Sequence, residues 1–149
     1  MEHRETITAA DDSSGPPRRC FTVDQANRAL VLVRRIVRDV VDRYAELMVL
    51  RSEREDVGQH AGARERVEEL DRAIEERVDT LNRLQAELSE IGCDLKDYAN
   101  GLIDFPAEHA GRVVYLCWRL GEASVTHWHE LDAGFSGRRT IGPEFAASN

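Results

Sequence analysis

Apolar residues recur along the first half of the chain at alternating spacings of four and three: Ala26, Leu30, Val33, Val37, Val40, Tyr44 and Leu47. On a helix of 3.6 residues per turn that spacing lines up one stripe, the seam of a coiled coil. Arg34, Arg35, Arg38, Asp39, Asp42 and Arg43 fall outside it, whereas Val31, Ile36, Val41 and Met48 widen it, so this helix is expected to touch more than one partner. Thr22 is a capping residue, Gln25 completes a capping box, and Phe21 can staple against Ala26. The stripe breaks at Val57-Gly58-Gln59-His60-Ala61-Gly62, where two glycines predict a turn. A second stripe runs through Val67, Leu70, Ile74, Leu81, Leu84, Leu88 and Ile91, with Arg77 at one core position and Val78 beside it as a substitute. Gly92 stands where a helix end favours a left-handed residue. The pattern predicts helices over 22–57 and 62–91, folded into an antiparallel hairpin about 45 Å long.

The period then changes from helical to alternating. Cys93–Tyr98 and Leu102–Phe105 are short strand candidates separated by Ala99-Asn100-Gly101, an Asn-Gly turn signal. Arg112–Arg119, rich in β-branched and aromatic residues, is a third, and Val125–Leu131 a fourth. The fold class read from these elements is α+β: a long, coiled-coil-like antiparallel helical hairpin followed by a small antiparallel β meander of three or four strands and an irregular tail. Residues 1–20 read as a disordered leader. Residues 21–141 read as one domain, divided into the hairpin (21–92), the meander (93–132) and a Gly/Arg loop (133–141), with a tail over 142–149.

The chain of 149 residues is long enough for one core. Its net charge of −8 is spread out, and no basic patch interleaved with aromatics occurs, which argues against binding to nucleic acid or anionic lipid. Of its 20 basic residues only Lys96 is a lysine, a skew that fits GC-rich coding. No apolar run is long enough to span a membrane, and no signal-peptide pattern opens the chain, so a soluble, cytoplasmic protein is expected. Cys20, Cys93 and Cys117 are odd in number and far apart, as reduced thiols would be.

Candidate chemistry gathers between Gly101 and Arg139. His127 and His129 sit at i and i+2, on one face of a strand. If the turn at Gly121-Glu122-Ala123 has three residues, Cys117 lies opposite His127 and Tyr115 opposite His129, while Val114, Leu116, Trp118 and Trp128 share the other face. A two-residue turn would dissolve that cluster, because a one-residue slip reverses every side chain. The first register is favoured because it groups both tryptophans with the aliphatics. Cys117, His127 and His129 would then offer ligands for zinc or another transition metal, bordered by Asp104, Glu122 and Glu130. Against this stands a structural reading: Cys117 as a small buried hydrophobe and His129 as a core histidine satisfied by Glu130 or Asp104. Gly134-Phe135-Ser136-Gly137-Arg138-Arg139 could hold an anion, with Arg119 and Arg138 as candidate binding residues, or Arg138 could simply pair with Asp104 or Glu122.

Together, FTVDQANRAL, the heptad region, LKD, GLIDFPA, GRVVYLCWRLGE and WHELDAGFSGRR resemble the uncharacterised prokaryotic family named for its domain of unknown function 2203, over about residues 21–141. The motif positions carried over are Asp97, Asp104, Phe105, Pro106, Arg112, Tyr115, Cys117, Trp118, Glu122, Trp128, His129, Glu130, Gly134 and Arg138. His127 lies outside them. The resemblance implies no activity, substrate or cofactor. The sequence favours a non-catalytic protein-interaction or assembly module that forms a homodimer through the hairpin. Its alternative is a metal-binding protein, with enzymatic activity an open question, centred on His129 and Cys117.

Overall fold

The computed structural model describes residues 19–143 and Phe145. The leader expected over 1–20 lies outside these residues except for its last two, and the tail over 142–149 lies outside except for Gly142, Pro143 and Phe145.

Two long helices come first, α1 (Val23–Val57) and α2 (Arg64–Ile91). Thr22 caps α1 in a complete capping box: its hydroxyl accepts the Gln25 N–H, and the Gln25 side chain accepts the Thr22 N–H at 2.9 Å. At the far end of α2, Gly92 adopts φ 108, which costs a residue with a Cβ strain that glycine avoids. The ion pairs Glu46–Arg77, Arg54–Asp71 and Glu53–Arg66 show the helices running in opposite directions. Arg77 thus turns its guanidinium outward to Glu46 while Val78 takes the buried position.

The second half is one antiparallel sheet of five strands in sequence order: β1 (Asp94–Asp97), β2 (Leu102–His109), β3 (Arg112–Arg119), β4 (His127–His129) and β5 (Arg139–Thr140). The meander is one strand longer than three or four, because Arg139 and Thr140 of the Gly/Arg stretch pair with β4. β2 also runs past Phe105 through a proline. Pro106 is tolerated because β1 reaches only to Asp104 on that side, and the Pro106 carbonyl there accepts the Phe21 N–H at 2.7 Å. A two-residue turn, Ala110-Gly111, with φ 51 and 78, returns the chain into β3.

One face of the sheet carries Ile103, Phe105, Ala107, Val114, Leu116, Trp118 and Trp128, and it joins Ala26, Leu30, Val33, Val37, Val40, Leu81 and Leu88 of the helices in a single core. Gly101 shows how close the approach is, since a Cβ there would lie 2.7 Å from Val37 Cγ1 and 2.9 Å from Leu120 Cβ. Side chains of α1 also satisfy the backbone between β3 and β4: Asn27 accepts the Val125 N–H and Arg34 donates to the Ala123 carbonyl. The sheet therefore covers much of what made the first helix look two-sided. Ile36 is buried, Val41 and Met48 pack against the core, and Val31 alone of those four stays exposed. No helix among the described residues is long and apolar enough to cross a membrane.

Candidate metal centre

The register around β3 and β4 is the one that gathers the polar groups: Tyr115 faces His129, Leu116 faces Trp128 and Cys117 faces His127. On the other side of β3, Cys117 pairs with Asp104 of β2, which in turn pairs with Asp94 of β1. A row of Asp94, Asp104, Cys117 and His127 thus crosses the sheet on the face turned away from the helices, with Tyr115 and His129 in the neighbouring row.

Within this face Asp104, Cys117 and His129 bring one ligand atom each to within 4.8 Å of one another, and all three are buried. Among the described residues this is the only such group of three His, Cys, Asp or Glu side chains. His129 Nδ1 stands 2.7 Å from the Glu130 carbonyl, an oxygen that can only accept, so Nδ1 carries a proton. Nε2 points at Asp104 Oδ1 from 3.0 Å. Burial opposes charge on this imidazole, but the Asp104 hydrogen bond, the Glu130 carbonyl and the Asp104 charge outweigh it and hold the pKa above its ordinary value. Burial, reinforced by the charge of Asp104 and opposed by Arg138, pushes the Cys117 thiol up to about 12. Cys117 is therefore no nucleophile as it stands. Both ring nitrogens of His129 are engaged, Nδ1 by the Glu130 carbonyl and Nε2 by Asp104.

Each of the other candidate residues has a place. His127 shares the face of Cys117, but its Nδ1 bonds the Thr126 hydroxyl at 2.9 Å, and the structure does not bring it into the cluster. Glu130 contributes its backbone carbonyl, while its carboxylate turns outward to Arg112. Glu122 accepts the Arg119 backbone N–H at 2.7 Å and the Arg138 guanidinium at 2.7 Å, pinning the loop before β5 to the end of β3. The guanidinium groups of Arg138 and Arg119 stand 4.7 Å and 5.9 Å from the centre of the Phe135 ring. Arg138 thus pairs with Glu122, one of the two acids expected for it.

Two features of the face escaped the sequence reading. Asp94 is buried opposite Asp104, and a pocket of about 560 Å³ opens over Asp104, Tyr115 and His129, lined by Lys96 from β1 and by residues 131–135. Lys96 stands two residues along β1 from Asp94, so strand alternation puts it on the face of Asp104. The signal that could have found it was its standing as the chain's one lysine.

These features define an α+β protein in which a helical hairpin backs an antiparallel meander whose outer face holds a buried Asp–Cys–His cluster beneath a pocket. The chain belongs to the family described as uncharacterized conserved protein (DUF2203), whose pattern matches residues 19–141. No curated protein and no solved structure matches the chain.

Proposed function

We propose that this protein binds a divalent transition metal, zinc by its donor set, through Asp104, Cys117 and His129. The observation that carries the reading is the convergence of three chemically different donors within 4.8 Å on one buried spot. In a tetrahedral zinc site, bond lengths of about 2.0–2.3 Å put neighbouring ligand atoms about 3.4–3.7 Å apart, so small side-chain rotations would close this cluster around an ion. The carbonyl of Glu130 supports it, because a proton held on Nδ1 leaves Nε2 as the donor. Three protein ligands leave a fourth position open, the arrangement of zinc sites that bind or activate a ligand. Cys117 has to stay reduced to serve, which suits the cytoplasm, and all three cysteines are free thiols.

The test is metal analysis of protein purified without a histidine tag, before and after dialysis against zinc. About one equivalent is expected in the native chain, and none in His129→Ala with its helical circular dichroism intact. A native chain that takes up no metal would overturn the reading.

The second reading is an interaction module that pairs with another copy of itself. It rests on Val31, Leu32 and Val49, which stay exposed along α1. Sedimentation at micromolar concentration separates it, a monomer being its refutation.

A further inference from the structure

We infer that the pocket over the metal takes a small carboxylic acid with an apolar side group, whose carboxylate is held by Lys96. This rests on the metal reading above and names the class of ligand that would occupy the open coordination position.

The pocket has three kinds of wall. Its floor is Asp104 and His129, two of the three proposed metal ligands, so a molecule in the pocket meets the ion. Leu102, Leu131 and Phe135 are apolar lining, which favours a hydrocarbon or aromatic group. The cation is Lys96, whose ammonium stands over the Tyr115 ring at 5.2 Å, while that ring packs 5.6 Å from the His129 imidazole. Ammonium, ring and metal ligand therefore follow one another along the pocket.

Residue choice points the same way. Nineteen arginines and one lysine mean that arginine fills every other cationic position of this chain, and the exception lines the pocket. Lysine is a compact point charge on a flexible stem, whereas a planar arginine would lie flat on Tyr115 and fill the space a ligand needs. Charge then limits the ligand. The other ionisable lining groups are the carboxylates of Asp104, which the metal would neutralise, and Asp132. A single ammonium among the lining residues suits a single carboxylate and disfavours a polyphosphate. A volume of about 560 Å³ lies in the range of small-molecule pockets and leaves room for both a carboxylate and an apolar group.

The experiment uses the full-length, zinc-loaded protein and two probes, 2-mercapto-3-phenylpropanoate and its carboxamide. Both offer a thiol to the metal and a phenyl group to Leu131 and Phe135, and only the first carries the charge. The acid is expected to bind about tenfold more tightly than the amide in calorimetric titration, the worth of one charge-assisted hydrogen bond. Lys96→Met should abolish that preference while leaving amide affinity unchanged, and Lys96→Arg should restore part of it. Lys96 is exposed on an edge strand, so these variants keep the fold, which the melting temperature checks. Equal affinities for acid and amide in the native protein, or an equal loss for both in Lys96→Met, would overturn the inference and leave the metal reading standing. Zinc content is measured on every sample first. A chain that holds no zinc would overturn both.

Discussion

Zinc binding at this site should release about two protons, and their origin can be followed residue by residue. At about pH 6, below the raised imidazole pKa, His129 of the metal-free cluster keeps one proton on Nδ1, facing the Glu130 carbonyl, and a second on Nε2, facing Asp104. Cys117 keeps its thiol proton, since burial pushes it up to about 12. Carboxylate, imidazolium and thiol sum to zero charge. A divalent ion bound here would displace the Nε2 and Sγ protons, and the sum of carboxylate, neutral imidazole, thiolate and metal would again be zero. A buried site that exchanges two protons for one divalent ion keeps its neutrality, and that avoids the large cost of leaving net charge away from water. The assay titrates zinc into metal-free protein at about pH 6, below the raised imidazole pKa, in two buffers of different ionisation enthalpy. About two protons are expected for the native chain and about one for Cys117→Ala, which has no thiol to ionise. Release of no protons, or a count that Cys117→Ala leaves unchanged, would refute the argument.

Two further outcomes test the frame around the site. Gly101→Ala forces a side chain into φ 71 with its Cβ 2.7 Å from Val37 Cγ1 and 3.1 Å from Val41 Cγ2. The backbone strain costs about 1–2 kcal/mol and the overpacking about 1–3 kcal/mol, so urea denaturation should show a loss of about 2–5 kcal/mol. A loss below about 1 kcal/mol would mean that the sheet does not close on α1 at this point. Asp97 caps the β1–β2 turn by accepting from Asn100 Nδ2 at 2.9 Å and from the Ala99 and Asn100 N–H groups, and these bonds, led by the Asn100 side chain, hold its carboxyl below the usual range. A depressed folded pKa means that this stabilisation is complete above the unfolded value of about 3.9 and is lost as pH falls through the folded one, so Asp97→Asn should flatten the acid limb of stability against pH. An unaltered acid limb would show that the turn carboxylate does not titrate with folding.

How much was legible depended on how local the cause was. The capping box at Thr22 and Gln25, the apolar stripes and Gly92 are local signals, and the helices lie within two residues of where those signals place them. The β3–β4 register was legible because Trp118 and Trp128 had to share a face with Leu116, which sends Cys117 and His129 to the other. Pro106 hid the second half of β2, since its tolerance depends on Phe21, 85 positions earlier in the chain, which donates its N–H to the Pro106 carbonyl and asks for no donor in return. β5 was hidden because two residues carry no period. Glu122 was one of two acids expected for Arg138, the other being Asp104, and Asp104 was one of two expected for His129, the other being Glu130. Lys96 was not foreseen, because its place beside the cluster follows from the pairing of Asp94 with Asp104 and not from its neighbours in the chain.

The metal-free cluster is already hydrogen-bonded, and this bears on what a metal would do for the protein. A small zinc module folds only when its ligands are drawn together by the ion. Here the ligands are set in place by other means: the apolar core on the opposite face fixes the register, and the Glu122–Arg138 pair ties the loop before β5 to the end of β3. Asp104 already satisfies His129 in the absence of any ion. In the proposed metal reading the chain would fold with two protons in the site and take a metal afterwards, so occupancy would follow pH and metal supply while the helical hairpin and the sheet remain the same.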